Sequence, residues 1–164
     1  TEVALVGGAR SVALAPDGTT LVAGSASPWF AGPDDTALAR YRADGTLDPG
    51  FGRGGVVVTD LSRVGDWDGA AAVALDADGR ILVLAWARSA NAFPRTLALA
   101  RFLPAGGPDA GFGHGGVVLW PSPGSGYAYL PVALAVQPDG AILTASVDTW
   151  ARYVSRVDLL RFRG

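Results

Sequence analysis

The side chains that could do chemistry in this sequence are few, and most of them are carboxylates. The 164 residues include 15 acidic residues, 13 basic residues that are all arginine, one histidine and no cysteine. Without cysteine, the chain forms neither a disulfide nor a thiolate metal site, and it has no cysteine nucleophile. The single histidine, His114, has no second histidine with which to bind a metal ion.

Acid–base catalysis would therefore depend on paired carboxylates, as in glycoside hydrolysis. His114 is a poor general base, because it lies in a repeated motif whose earlier copy has Arg53 at the same position. The carboxylates in irregular segments show no spacing that favours one pair: Asp34, Asp35, Asp66 and Asp148. We expect a non-catalytic protein without a cofactor, and a hydrolase that uses loop carboxylates is the alternative.

Two short acidic segments resemble fragments of calcium-binding loops, Asp76-x-Asp78-Gly79 and Asp66-x-Asp68-Gly69. The first lies in a motif that occurs three times, and Ala15 and Gln137 replace Asp76 in the other two copies. Only the turn aspartate recurs, which favours a turn there and no metal ligand. The second segment has no repeated counterpart, and calcium binding by Asp66 and Asp68 stays open.

Composition limits the classes of partner. A net charge of −2 and a pI near 5.2 argue against a nucleic-acid-binding protein, which needs a basic surface. The longest apolar run, residues 81–87, is far shorter than the roughly 18 residues of a membrane helix. We therefore expect no direct membrane insertion. Hydrophobic residues make up 49% of the chain, with 23 glycines and 11 prolines, which indicates a folded chain of short elements and tight turns.

A repeat of about 61 residues organises the chain. The segment SVALAPDGTTLVAG at 11–24 returns as AVALDADGRILVLA at 72–85 and as VALAVQPDGAILTAS at 132–146. ALARY at 37–41 returns as ALARF at 98–102 and DLLRF at 158–162. DPGFGRGGVVV at 48–58 returns as DAGFGHGGVVL at 109–119. Three motifs keep one register, which establishes an internal repeat.

Each complete unit is predicted to contain four short antiparallel strands. In the second unit these are a at 56–61, b at 72–76, c at 81–87 and d at 96–102, all apolar runs bounded by turn residues. The Asp-Gly pair between b and c is typical of a hairpin with a type I′ turn. Four-stranded units of this length are typical of β-propeller blades, which bury their faces only against neighbouring blades.

We therefore predict an all-β, β-propeller-like repeat domain of three four-stranded antiparallel blades at about 1–46, 47–107 and 108–164. Residues 3–6 would supply a shortened first strand. Closed propellers contain about four to eight blades, so two copies related by a two-fold axis would form a six-bladed ring. A fragment of a longer propeller, or an arc covered by another protein, are the alternatives.

The joint motif set resembles the delta-60 repeat, which is predicted to form bacterial β-propellers. The resemblance rests on PDG at 16–18 and 138–140, ALAR followed by an aromatic residue, DGTLD at 44–48 and FGxGG, and it covers nearly the whole chain. The usual lysine after PDG is replaced by Thr19, Arg80 or Ala141, and AGGP at 105–108 stands where DGTL is expected. The resemblance implies a protein exported to the periplasm, cell surface or medium, and it transfers no catalytic residue.

The repeated positions are interpreted as structural. A phenylalanine would fill the space between blades, glycines would turn the chain, and the arginine that ends strand d would pair with Asp48 or Asp109 or stack on an aromatic ring. A ring of arginines that binds an anionic ligand is the alternative. The structural set is Asp17, Gly18, Asp78, Gly79, Asp139, Gly140, Phe51, Gly52, Phe112, Gly113, Arg40, Arg101 and Arg161.

The loops at the opposite end of the blades, a–b and c–d, vary in length and carry most of the other aromatic residues. Aromatic and arginine side chains on irregular loops are typical of protein interfaces, although they could also cover the blade ends. We expect a protein-interaction or scaffold module, an accessory subunit of a larger exported or membrane-associated assembly. A carbohydrate-binding propeller lectin is the alternative. The candidate partner-binding residues are Trp29, Trp67, Phe93, Tyr127, Tyr129, Trp150, Tyr153, Arg88, Arg95 and Arg152.

Overall fold

The computed structural model describes residues 7–27, 34–61, 67–88, 96–120, 127–150 and 153–163, with the backbone alone described at 88, 127–129, 148–150 and 153–156. These residues form strands and turns without a helix, so they contain no helix that could span a membrane. The all-β prediction is confirmed. The strands are β1 (Ala9–Leu14), β2 (Thr20–Ala26), β3 (Asp35–Tyr41), β4 (Val56–Thr59), β5 (Trp67–Leu75), β6 (Ile81–Arg88), β7 (Thr96–Phe102), β8 (Val117–Trp120), β9 (Tyr127–Val136), β10 (Ile142–Trp150) and β11 (Tyr153–Phe162).

The strands form three antiparallel sheets that follow the sequence repeat. The first sheet has the order β1-β2-β3-β4 and the second β5-β6-β7-β8. The third contains β9, β10 and β11 among the described residues. Each first strand carries a bulge at the same point of the repeat, between Ala9 and Ser11, between Ala70 and Ala72, and opposite Ala145 and Ser146. The repeat in sequence is thus a repeat in backbone geometry.

One strand belongs to a different sheet from the one predicted. The sequence placed residues 56–61 at the start of the second blade, with a boundary at 46/47. Instead, β4 pairs with β3, from Thr36↔Thr59 to Ala39↔Val56, and completes the first sheet. The FGxGG segment folds back on itself, and Gly55 O accepts a hydrogen bond from Arg40 N at 2.9 Å. The connection therefore returns the chain beside the strand it has just left. β8 pairs with β7 in the same way.

This pairing moves the blade divisions. The first two sheets span 9–59 and 67–120, and the third spans 127–162 in the described part of the chain. The boundaries predicted at 46/47 and 107/108 are therefore wrong, because both fall inside a connection within one sheet. The strand predicted at residues 3–6 lies outside the described residues.

The hairpins between the first and second strands also differ in detail from the prediction. In the first hairpin, Gly18 N donates to Ala15 O at 3.0 Å and Ala15 N donates to Thr19 O at 2.8 Å. This is a three-residue loop in which Gly18 has a φ of 85°, and not a two-residue type I′ turn. The residue before the aspartate is Pro16, whose fixed φ suits the first central position of a type I turn.

The sheets pack face to face in chain order. β5 packs against β1, β2 and β3, and β9 packs against β5, β6 and β7. The first strands of successive sheets contact one another, which is the arrangement expected of propeller blades around a common axis. The largest buried cluster lies between the first and second sheets and includes Leu38, Phe51, Ile81 and Val83. Leu82, Leu99 and Ile142 belong to the corresponding cluster between the second and third.

Candidate functional site

At the end of the sheets that carries the repeated hairpins, arginine side chains make ion pairs and ring contacts. Arg40, at the end of β3, lies with its Nε and Nη2 each 2.8 Å from Asp48 Oδ2. Its guanidinium carbon lies 4.7 Å from the centre of the Phe51 ring, which is fully buried. A third contact, from Nη1 to the carbonyl oxygen of Pro104, reaches the second sheet. Arg40 thus joins two sheets while its charge is neutralised.

The second sheet repeats this arrangement. Arg101 Nε lies 2.8 Å from Asp109 Oδ2, and its guanidinium lies 4.5 Å from the centre of the Phe112 ring. In the third sheet, Arg161 instead donates to Gln137 Oε1 at 3.0 Å and to Asp139 Oδ2 at 2.7 Å, and this pair is exposed. All three arginines have side-chain partners, which supports the structural interpretation over a ring that binds an anion.

The aspartates at this end act as acceptors for turns. Asp17, Asp44 and Asp48 each accept a hydrogen bond from the backbone N–H two residues later. These hydrogen bonds are the main reason the pKa of Asp17 and Asp48 lies below the usual value, whereas for Asp44 the hydroxyl of Thr46 lowers the pKa most and the Thr46 N–H adds to it. Asp139 likewise accepts a hydrogen bond, from Ala141 N at 3.0 Å. A carboxylate that is hydrogen-bonded in a turn and has a lowered pKa is better suited to stabilising that turn than to acid–base catalysis.

The second hairpin uses a different aspartate from the one singled out. Asp76, and not Asp78, accepts the turn hydrogen bonds, from Asp78 N and Arg80 N at 2.9 Å each. The Asp78 carboxylate instead pairs with Arg80 Nη2 at 2.9 Å. The Asp76-x-Asp78 segment is therefore a turn closed by an arginine.

The FGxGG segments fill the space between sheets. Gly52 N donates to Ala105 O of the second sheet at 2.9 Å. Gly106, at a φ of 93°, lies so close that a Cβ there would stand 3.0 Å from Phe51 Cε2. This close approach explains the glycine at 106, whereas at Gly52 a Cβ would lie 2.3 Å from Val56 O of its own sheet. His114 lies exposed in the second such segment, where its backbone N–H donates to Val117 O at 2.9 Å.

A cavity of about 480 Å³ opens between the first two sheets at this end. Its charged walls are Arg40, Asp48, Asp17 and Asp76, which hold the contacts described above. The remaining wall contains Thr19 and is otherwise formed by glycine and apolar residues such as Leu75. The charged side chains that line the cavity are thus all held by contacts within the protein.

A group of three carboxylates lies at the opposite end, between the first two sheets. One oxygen each of Asp35, Asp60 and Asp68 lies within 4.8 Å of the others. Asp68 is fully buried and accepts hydrogen bonds from Thr36 N at 2.6 Å, Thr36 Oγ1 at 2.5 Å and Leu61 N at 2.8 Å. These three donors occupy both oxygens of Asp68, so the carboxylate ties β3 and the end of β4 to β5.

Burial sets the protonation of this carboxylate group. Desolvation raises the pKa of Asp68 to about 6, against the hydrogen bonds, which lower it. The pKa of Asp35 is also raised, first by burial and then by the charges of Asp60 and Asp34. The sequence pointed to Asp66 with Asp68 as a calcium fragment, but Asp66 lies outside the described residues. The neighbours of Asp68 come from the start of β3 and from the end of β4, and only the β3–β4 pairing brings these two segments together.

The variable end brings several candidate partner-binding residues together through strand register. Trp150 pairs with Tyr127 on one side and with Tyr153 on the other, which places three aromatic residues in one row across the third sheet. Trp67 begins β5, 40% exposed, and pairs with Arg88. Tyr129 pairs with Asp148, two positions further into the sheet. The remaining candidates lie outside the described residues: Trp29, Phe93, Arg95 and Arg152.

One further aromatic residue lies at this end of the second sheet. Trp120 is the last residue of β8, is 41% exposed and pairs with Leu97. Its ring meets Phe162 edge to face at a centroid distance of 5.6 Å, so it also packs across to the third sheet. Trp120 is not among the partner-binding candidates predicted from the sequence.

Comparison with known proteins supports the fold. Residues 15–51 and 77–112 match the model of a family described as "Domain of unknown function (DUF5122) beta-propeller". The two matches cover the same part of the repeat, from the first hairpin turn to the phenylalanine of FGxGG. No curated protein and no solved structure matches the chain. Together with the three stacked sheets, the match establishes a β-propeller type of fold.

Proposed function

We propose that this chain is a non-catalytic protein-binding module whose contact surface is the variable end of its blades. We define this surface by Trp67, Tyr127, Trp150 and Tyr153. The opposite end, which carries the repeated hairpins, is less suited to bind a partner, because its arginines and aspartates already make contacts in turns and between sheets. The carboxylates described there serve folding, so the proposal includes no catalytic step.

The observation that carries the proposal is the row formed by Tyr127, Trp150 and Tyr153. Tyrosine and tryptophan supply large contact areas at a low cost in conformational entropy, and they are enriched where proteins bind each other. The row continues towards Trp67 of the neighbouring sheet, since β9 packs on β5 and both strands begin at this end. Trp67 pairs with Arg88, and arginine is also enriched at interfaces.

We further propose that the module works outside the cytoplasm, as an accessory subunit of an exported or membrane-associated assembly. The support is the resemblance to repeats of exported bacterial proteins. Fractionation of the producing cells, with antibodies against this chain, would test the location.

Binding can be tested with the chain immobilised and exposed to envelope and secreted proteins of the producing cells. The test variant is Trp67→Ala with Trp150→Ala. The control is Leu103→Arg, an exposed position in the connection of the second sheet whose repeat equivalents are Arg42 and Arg163. We expect proteins retained by the wild type and the control to be lost from the double variant, with the three melting temperatures within a few degrees.

Two outcomes would overturn the proposal. If the double variant unfolds far below the control and binding survives at low temperature, the tryptophans cover the blade ends and form no contact surface. If the wild type instead retains defined oligosaccharides on a glycan array, and the double variant does not, the aromatic row is a sugar site.

A further inference from the structure

The third sheet exposes a face that its equivalents bury. The forward face of each sheet is the one that points to the next sheet along the chain. On the second sheet this face includes Leu97 and Leu99, both 2% exposed. The equivalent residues of the third sheet are Val157 and Leu159, both 70% exposed. The registers agree, since Leu99 pairs with Leu84, and Leu159 pairs with Ala145, the repeat equivalent of Leu84.

The first sheet exposes the matching surface. The rear face of each sheet points to the preceding one. On the second sheet it includes Val73, 7% exposed, and its equivalent on the first sheet is Val12, 65% exposed. Leu14 of the same face is 72% exposed, whereas its equivalent Leu75 is partly buried. The forward and rear faces that pack together inside the chain are thus both open at its two end sheets.

Exposure on the outer strands is normal for these sheets and does not explain the difference. Val58 on β4 is 45% exposed, and its equivalent Leu119 on β8 is 43% exposed. Leu119 has this exposure although its sheet packs on both neighbours. The excess exposure described above therefore lies on β1 of the first sheet and on β11 of the third.

The two open faces also fit by shape. Leu38 projects from the forward face of the first sheet into the buried cluster that contains Val83, Ala98 and Ala100 of the second. The equivalents of these three residues, Val22, Ala37 and Ala39, line an open hollow of about 210 Å³ on the rear face of the first sheet. The residue equivalent to Leu38 on the third sheet is the exposed Leu159.

We propose that the forward face of the third sheet docks on the rear face of the first sheet of a second copy of this chain, with Leu159 in the hollow at Val22. Two such contacts, related by a two-fold axis, close a ring of six sheets. The described residues of one 164-residue chain form three sheets, so two such chains would supply six, within the about four to eight blades of closed propellers. Burial of the apolar side chains drives the association.

Light scattering behind a sizing column tests this assembly. The wild-type mass should be twice the 16.7 kDa of one chain. Leu159→Arg and Leu14→Arg place a charge on one open face each and should give the 16.7 kDa species. Both side chains are at least 70% exposed within one chain, so the variants should keep the far-UV spectrum of the wild type. Leu103→Arg, on neither face, should keep the mass of the dimer.

Three results would overturn the assembly. A wild type that runs as a monomer at micromolar concentration shows that the faces do not meet. Masses that rise without limit show an open filament, since a head-to-tail contact that does not close grows indefinitely. A dimer that survives both arginine variants is formed through some other surface, such as the aromatic row. The result does not depend on the protein-binding function, because neither variant alters the variable end.

Discussion

Leu99 and Leu159 occupy the same position in successive repeat units, yet Leu99 is 2% exposed and Leu159 is 70% exposed. The difference lies in what covers them. The third sheet covers Leu99, which lies in one buried cluster with Leu82 of its own sheet and Ile142 of the third. Within one chain, no described residue covers the face that carries Leu159. In a repeat fold each unit buries its faces only against neighbours, and the two end faces of the three described sheets lack the neighbour that the second sheet has on both sides.

The partly buried arginine pair of the second sheet should contribute measurably to stability. Arg101→Lys removes the planar guanidinium that faces both Asp109 and the Phe112 ring, and it should cost about 1–2 kcal/mol of unfolding free energy. The equivalent Arg161→Lys is the control, since that pair is exposed and should change stability by less than about 0.5 kcal/mol. Urea denaturation measures both, and equal effects would contradict the structural role of Arg101.

A hydroxyl group in the apolar contact between the second and third sheets should be destabilising. Thr144 is 1% exposed, and its Oγ1 has no hydrogen-bond partner among the described residues. Its repeat equivalents are Val22 and Val83. Thr144→Val should therefore raise the unfolding free energy by about 1 kcal/mol. Thr36→Val is the matched control with opposite sign, because the buried Thr36 hydroxyl donates to Asp68. A loss of stability in Thr144→Val would show that its hydroxyl has a partner.

Asp68 should make stability depend on pH in an unusual direction. Its folded pKa of about 6 lies above the unfolded value near 3.8, so the folded state binds more protons between these values. The contribution of Asp68 is present in full below about pH 4 and falls as pH rises through 6, by at most about 3 kcal/mol.

Comparison with a variant isolates this contribution from the other carboxylates. In Asp68→Asn the group no longer titrates, so the stability of the wild type minus that of the variant should decline between pH 4 and 6. Denaturant titrations at several pH values measure this difference. A difference that is flat or rises with pH would contradict the assigned protonation.

The FGxGG turn should be intolerant of any side chain at its first glycine. Gly113 has a φ of 54°, and a Cβ there would lie 2.3 Å from Val117 O. Gly113→Ala should cost about 1–3 kcal/mol, because the backbone must shift or carry strain. Gly107→Ala is the control, as a Cβ at Gly107 meets nothing within 4 Å. Thermal melts of the two variants should differ by several degrees, and equal melts would show that the turn adapts.

The repeat made the strands predictable, because each strand is a short apolar run between turn residues. The strands β6 and β7 start where the sequence predicted, at Ile81 and Thr96. The partner of each strand was harder to predict from the sequence. An apolar run such as Val56–Thr59 could pair in either neighbouring sheet, and only the fold of the FGxGG connection determines which sheet it joins. Similarly, the Asp35–Asp60–Asp68 group assembles across that same pairing and leaves no local signature.

The pairing of Arg40 with Asp48 was accessible because both recur at a fixed separation of eight residues, as do Arg101 and Asp109. The aromatic row depended on register, which residue types alone do not fix. Trp150 pairs with Tyr127 only because of the bulge opposite Ala145 and Ser146, where β9 carries one more residue than β10.

Directed cross-linking tests most directly whether the two open faces meet. Val73 N donates to Ser11 Oγ at 3.1 Å between the first and second sheets, and the equivalent residues across the proposed contact are Val12 of one copy and Ala133 of the other. The chain lacks cysteine, so Val12→Cys and Ala133→Cys can be made singly and mixed. With a short thiol cross-linker, the mixture should give a covalent dimer of twice the 16.7 kDa chain mass, and each single variant alone should not. A mixture that stays at 16.7 kDa, or single variants that cross-link as well as the mixture, would contradict the closed ring.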